Sequence, residues 1–271
     1  MIRRRPPGRG RSLFLAFLFG IAPALWAAQD PSCAPDSSPR RATIKYVIDG
    51  DTVILADGEH VRMVGIDTPE IGHDGEPDQP GGVIARNRLQ SRLAPGSEVL
   101  LAGDRENLDR HGRLLRHLFL SDGTNLQAEL LADGLATPLV IRPNLGYQSC
   151  YQQAVKTALA ARRGLWQRPE YQPVDPRILA PETRGFRIVR DRVAQVHWTR
   201  GGAWLELDGP LSVTIAAADF SAFDPNVIQQ LPGQRVEVRG MVYPRGRGLR
   251  MYLRHPLDLI LSPDAGTPAP Q

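Results

Sequence analysis

A mainly β fold with interspersed helices (α+β), arranged as two blocks, follows from three features of the 271-residue sequence. Short runs of β-branched and aliphatic residues recur between Asp-Gly and other Gly-containing turns, which is strand-and-hairpin patterning. Three stretches instead place apolar residues at helical spacing. A Pro-dense, aperiodic stretch at 167–183 then separates the first set of elements from a second, strand-dominated set.

The chain begins with Arg3, Arg4, Arg5, Arg9 and Arg11, followed by the uncharged apolar run Leu13–Ala28, which closes on Ala27-Ala28. A basic head, a short apolar centre and a small-residue end describe a secretory signal peptide over 1–28. The run falls short of the about 20 apolar residues that a spanning helix needs. The expectation is an exported protein, periplasmic or secreted, without stable membrane association after processing. The alternative is an uncleaved N-terminal anchor. The formal net charge of +4 belongs to this segment, because residues 29–271 carry 28 basic against 29 acidic side chains. The basic balance therefore does not announce a polyanion-binding surface. A content of 42% hydrophobic and 23% charged residues excludes disorder throughout, collagen and coiled coil.

Residues 29–40 read as a tether. Strand-type runs fill 42–66, broken by Asp49-Gly50 and Asp57-Gly58, and Gly72–Gly82 is extended and polar. Val83, Ile84, Leu89 and Leu93 recur at helical spacing until Pro95-Gly96. Strands are expected at Glu98–Ala102 and Leu114–Leu120, then a short helix around Asn125–Ala132 stopped by Gly134. A third helix carries Tyr147, Cys150, Tyr151, Ala154, Val155, Ala158 and Leu159 on one face and is expected to end at Gly164. These elements form a block over 41–166. Cys33 and Cys150 are the two cysteines, and an even pair in an oxidising compartment invites a disulfide. The alternative is a buried small hydrophobe at 150 and a free thiol at 33.

Beyond the linker, strands are expected at Phe186–Trp198, Ala203–Leu207, Leu211–Ala217, Arg235–Tyr243 and Leu249–Leu253. One short helix, capped by Asp224 with Pro225 in its first turn, follows the third. That is the order of an OB-fold barrel, assigned to 184–262. Residues 263–271 form a Pro/Ala tail with no core-forming pattern, read as disordered. Trp198, Trp204, Phe220, Tyr243 and Tyr252 accompany Arg245, Arg247 and Arg250 in this block. Either the aromatics fill the barrel's own core, or they form a stacking, phosphate-tracking groove.

The residues that carry chemistry lie in the first block. Asp49-Gly50-Asp51-Thr52 sits at a strand turn, Arg62 follows, and Asp67-Thr68-Pro69-Glu70 ends the next strand. If adjacent strands bring Asp51 and Asp67 together, two hard oxygens plus a backbone carbonyl make an incomplete cage with room for waters and a phosphate. Glu70, beyond a Pro that fixes the chain direction, could orient or deprotonate a water there. Arg62 and Arg113 offer planar forks for phosphate oxygens. Alone, each motif has a plainer reading: Asp49 and Asp51 as turn formers, and Asp109-Arg110-His111-Gly112-Arg113 as a polar hairpin. His111 and His117 lack the third ligand that a zinc set requires.

Residues 42–166 resemble the staphylococcal nuclease (thermonuclease) family. The likeness rests on Asp49-Gly50-Asp51-Thr52, Arg62 with Gly65-Ile66-Asp67-Thr68-Pro69-Glu70, Asp109-Arg110-His111-Gly112-Arg113, and Arg163-Gly164-Leu165-Trp166. It implies an OB-type β-barrel with three helices, and an endonuclease that hydrolyses phosphodiester bonds of DNA and RNA with Ca²⁺. Position by position, it implies Asp51 and Asp67 as calcium carboxylates and Thr68 as the donor of a backbone carbonyl to the ion. Glu70 matches the general base, and Arg62 and Arg113 match the phosphate-binding arginines. The sequence departs from the family at Thr137–Pro143, which has no aromatic where the prototype has substrate-packing tyrosines, and at His111, which stands in place of a tyrosine. A non-catalytic nucleic-acid- or protein-binding scaffold of two OB-type barrels is the competing expectation.

Overall fold

The structure, a computed structural model, describes residues 33–35, 38–72, 75–246 and 248–261. The expected leader and the C-terminal tail lie outside these residues. Strands β1 (Arg40–Val47), β2 (Thr52–Leu55) and β3 (His60–Met63) form an antiparallel meander, after which β4 (Ile66–Asp67) leaves it. Helix α1 (Gly82–Arg92) precedes β5 (Glu98–Ala102) and β6 (Leu114–Phe119). Because β5 pairs with β1 and β6 runs parallel to β3, the barrel closes in the order β1-β2-β3-β6-β5. Helix α2 (Leu126–Ala132), strand β7 (Thr137–Pro138), which pairs with β4, and helix α3 (Gln148–Ala160) complete this half. Its core gathers Ile44, Val53, Leu55, Met63, Leu118 and Phe119 with apolar residues of the three helices.

Two helices depart from expectation. Val83 and Ile84 are exposed, and α1 instead buries Gly82, Ala85, Leu89 and the following Leu93. Its phase is set at its first residue: a Cβ on Gly82 would sit 2.7 Å from the Glu70 carbonyl oxygen, so only glycine lets the helix start so close to that loop. Helix α3 ends at Ala160 rather than Gly164. Gly164 opens a separate 3₁₀ turn, where its backbone touches that of Gly134 and the Leu165 N–H donates to the Gly134 carbonyl over 2.8 Å.

The second half contains β8 (Pro173–Val174), β9 (Gly185–Thr199), β10 (Gly202–Leu207), β11 (Leu211–Ala216), α4 (Pro225–Gln229), β12 (Arg235–Arg245), β13 (Gly248–Leu253) and β14 (Leu259–Leu261). Its circuit, β9-β10-β11-β13-β12 and back to β9, repeats the order of the first barrel, parallel third-to-fifth pair included. Alternation explains the register. In β11, Leu211, Val213 and Ile215 point inward while Ser212, Thr214 and Ala216 point outward. The expected five strands are joined at the edges by β8 and β14.

The Pro-rich stretch is not a free hinge. Pro173 and Val174 pair in parallel with Ile188 and Val189, Pro176 is buried, and Tyr171 stacks on Phe186. Phe186 and Ile188 of β9 belong to the core of the first barrel, and Gln152 of α3 lies 2.7 Å from the His255 ring nitrogen. The two barrels are thus packed against each other. Among the described residues no helix is long and apolar enough to cross a membrane.

Cys33 and Cys150 are joined, tying the start of the described chain to α3 across 117 residues. A cross-link over so long a loop removes much of the unfolded chain's freedom. Cys150→Ala should lower the unfolding free energy by roughly 2–5 kcal/mol, read from urea denaturation. Identical curves for the wild-type chain with and without reductant would contradict this.

Candidate active site

The site is built where β1–β2, β3–β4 and the loop after β4 meet. Register places Thr52 opposite Arg62, and the Met63 N–H donates to the Asp51 carbonyl over 2.8 Å, so the turn carrying Asp51 is held against the end of β3. Pairing of Asp67 with Thr137 fixes β4 beside β7. The two carboxylates then converge on one guanidinium. Arg62 Nη1 lies 2.8 Å from Asp51 Oδ2, and its Nη2 lies 3.0 Å from Asp67 Oδ1. Asp51 Oδ2 also accepts the Thr68 N–H at 2.9 Å, and Asp51 Oδ1 accepts the Thr52 hydroxyl at 3.1 Å.

Glu70 lies exposed at the end of this segment. Its N–H donates to Gln79 Oε1, and its carbonyl accepts the Gln79 N–H over 2.9 Å, which braces the loop. Arg113 is aligned by Asp109, whose Oδ2 accepts from Nε at 2.7 Å while Oδ1 accepts the Arg113 and His111 N–H groups. A cleft of about 560 Å³ is lined among others by Arg62, Asp109, Arg113, His111, Leu139 and Ile141. His111 is therefore at the cleft. His117 is not: it is buried, 2.6 Å from the Tyr151 hydroxyl.

The residue that sequence reasoning passed over is Asp49. Read as a turn former, it does make a turn, accepting the Asp51 N–H on Oδ1 at 3.1 Å, yet it is buried beside the other acids. Burial pushes the Asp51 carboxyl up to about 7; Arg62 opposes this, while Asp49 and Asp67 add to it. Burial likewise raises Asp67, with Asp49 adding and Arg62 opposing. Glu70, exposed as a residue but with its carboxyl partly shielded from water, is raised by that partial burial and by the charges of Asp49 and Asp67, against the pull of Arg62 and Arg113. An Asp-Gly turn reads the same whether its acid faces solvent or a site, so only the fold reveals this third acid.

The sequence-predicted residues Asp51, Arg62, Asp67 and Thr68 are thus brought together, Glu70 is near enough to feel the charges of Asp67, Arg62 and Arg113, and Arg62 and Arg113 line one cleft. Four carboxylates act on one another here, against two guanidinium groups, one of which is already paired with Asp109. Such a site repels a phosphate unless a cation joins it. The available donors are hard oxygens, which suit a divalent ion such as Ca²⁺. Among the described residues no three His, Cys, Asp or Glu side chains form a closed metal cage, so an ion here would take two carboxylates, a backbone carbonyl and water.

Residues 60–168 match the family described as Staphylococcal nuclease homologue. The thermonuclease of Staphylococcus intermedius is 38% identical over 128 residues, covering 46% of this chain and 75% of that protein. The thermonuclease of Staphylococcus hyicus is 39% identical over 124 residues, covering 44% and 72%. Endonuclease YncB of Bacillus subtilis (strain 168) is 30% identical over 133 residues, covering 48% and 63%. The fold and the site define a nuclease, a hydrolase of phosphodiester bonds. The chain belongs to the staphylococcal nuclease family, and its second barrel lies beyond the matched region.

Asp51 yields a stability prediction for the metal-free protein. The folded carboxyl keeps its proton to about pH 7, whereas its ordinary value is 3.8. Between these values the folded state binds more protons than the unfolded one, so stability falls as pH rises through that window. In chelator, Asp51→Asn should remove part of this decline and gain on the order of 1–3 kcal/mol at pH 7.5. Urea unfolding at pH 5 and 7.5 measures it; a decline as steep in the Asn variant as in the wild type would contradict the assignment.

Proposed function

We propose that the first barrel is the catalytic domain of an exported, calcium-dependent endonuclease acting on DNA and/or RNA, with the second barrel as an accessory domain. The observation that carries this reading is the convergence of Asp51 and Asp67 on Arg62, with Glu70 near enough to feel the charge of Asp67 and with Arg62 and Arg113 lining one cleft. Asp51, Asp67 and the Thr68 carbonyl would hold the calcium ion, which when bound supplies positive charge at the phosphate. Export is supported by the Arg-rich head with its apolar run, and by the Cys33–Cys150 bond, a linkage that persists in oxidising compartments.

Glu70 orients a water for in-line attack and accepts its proton as the new P–O bond forms and the bond to the leaving oxygen breaks. Its raised carboxyl is a better proton acceptor than an ordinary glutamate, and as an exposed group it can reach water. Arg62 is held by Asp51, Asp67 and the Met63 and Ile66 carbonyls, and Arg113 by Asp109, so both guanidinium groups are fixed in place before a phosphate arrives. On the phosphate they bind its non-bridging oxygens and stabilise the charge that grows there in the five-coordinate transition state.

The test is kinetic. Glu70→Gln should lower kcat by roughly 10²–10⁴-fold with KM changed far less. Equal losses in the two constants would contradict the general-base role. Arg113→Lys should lose roughly 10²–10³-fold in kcat on single-stranded DNA, because a point charge cannot replace the fork that Asp109 aligns. Wild-type turnover in the Lys variant would remove Arg113 from the mechanism.

A further inference from the structure

The outer face of the second barrel has two parts. On β9 and β12 it packs Phe186, Ile188 and Met241 against the first barrel. Met241 is the cross-strand partner of Phe186. Two residues further along β12, the same face leaves the interface as Tyr243, 42% exposed, whose partner on β13 is Arg250. Tyr252 follows Arg250 on that face and aligns with Thr214 of β11, which in turn aligns with Trp204 of β10, 38% exposed. The barrel interior is filled without any of them, by Val213, Ile215, Val238, Met251 and Leu253 among others. Of the expected aromatics Phe220 does pack against that core, with Trp198 stacked on it, whereas Trp204, Tyr243 and Tyr252 lie outside it.

This strip begins beside the active cleft. Tyr243, Tyr252, Arg239 and Arg254 line a groove of about 100 Å³ together with Leu139 and Ile141. The same Leu139 and Ile141 line the cleft that holds Arg62 and Arg113. The segment is pinned there by buried Asp219, which accepts from Arg142 Nε at 3.0 Å and from Arg254 Nη1 at 3.5 Å. The Arg254 guanidinium in turn lies 5.7 Å from the centre of the Tyr252 ring. Arg142, Arg239, Arg250 and Arg254 outnumber the acids beside them, Asp219, Glu237 and the groove-lining Asp258, by four to three.

We infer that the second barrel extends the substrate site: a single strand of nucleic acid leaving the cleft over Leu139–Ile141 stacks unpaired bases on Tyr243 and Tyr252, with Arg250 and Arg254 on its phosphates. This rests on the nuclease reading above. The exposed Tyr243 ring and the half-buried Tyr252 ring beside arginines are the kind of surface that takes splayed bases, whereas the bases of a duplex are already stacked on each other. The Thr137–Pro143 segment has no aromatic of its own, and the second barrel brings two to its far side.

The experiment measures binding of a fluorescein-labelled 20-nucleotide oligothymidylate by anisotropy, in chelator so that nothing is cut. Tyr243→Ala and Tyr252→Ala should each weaken binding by roughly 5- to 150-fold, the range that loss of one base–aromatic stack produces. Tyr243→Phe should bind as the wild type does, and a blunt duplex of equal length should bind more weakly than the single strand. Unchanged binding in the double Ala variant, a loss in Tyr243→Phe equal to that in Tyr243→Ala, or preference for the duplex would overturn the inference. With Ca²⁺ restored, the ratio of kcat/KM for the 20-mer over that for a dinucleotide should fall in the Ala variants. A chain that binds through the tyrosines yet cuts neither substrate would overturn the nuclease reading while upholding this surface.

Discussion

The bridge from Arg62 to Asp51 and Asp67 is the interaction on which the rest of the site depends. It joins the β1–β2 turn to β4, which leads into Thr68, Pro69 and Glu70, and it keeps the buried Asp51 and half-buried Asp67 carboxylates from driving each other apart. Removing Arg62 would strand both carboxylates in a poorly solvated place, which costs more than the pairing itself contributes. One guanidinium cannot balance Asp49, Asp51 and Asp67 together: burial is the largest cause of the raised Asp51 carboxyl, and the neighbouring acids add to it against the pull of Arg62. That excess of acids is the ground for proposing a divalent cation here.

Two barrels of the same strand order serve different ends. In the first, the turn between strands one and two and the segment after strand three carry acids, and the barrel mouth becomes a charged cleft. In the second, the outward face of the sheet carries aromatics and arginines with few acids. Fold alone does not distinguish them. Side chains placed on equivalent backbones do, and the packing of Phe186, Ile188 and Met241 onto the first core sets one barrel's face beside the other's cleft.

Much of this was legible in the sequence, for physical reasons. The strands of the second barrel announce themselves because one face of each is buried, and alternation at period two records that directly. Asp51, Arg62, Asp67 and Glu70 stand close in sequence on adjoining strands, so a short-range motif could carry a three-dimensional site. What escaped was decided by distant contacts. The phase of α1 is set by the backbone of Pro69 and Glu70 against Gly82, which turned Val83 and Ile84 outward. The Pro-rich stretch has no periodicity because its order comes from pairing with β9 and from Tyr171 on Phe186. The burial of Asp49 and the exposure of Tyr243 and Trp204 likewise depend on what packs against them.

The central claim is that the acid cluster becomes a catalytic site when a divalent cation offsets its excess charge. Degradation of single-stranded DNA and RNA by residues 29–271 in Ca²⁺, in Mg²⁺ and in chelator, beside an Asp67→Ala control, tests it most directly. The account predicts cleavage in calcium that chelator abolishes and the control lacks. Cleavage that persists in chelator, or survives the loss of Asp67, would contradict it.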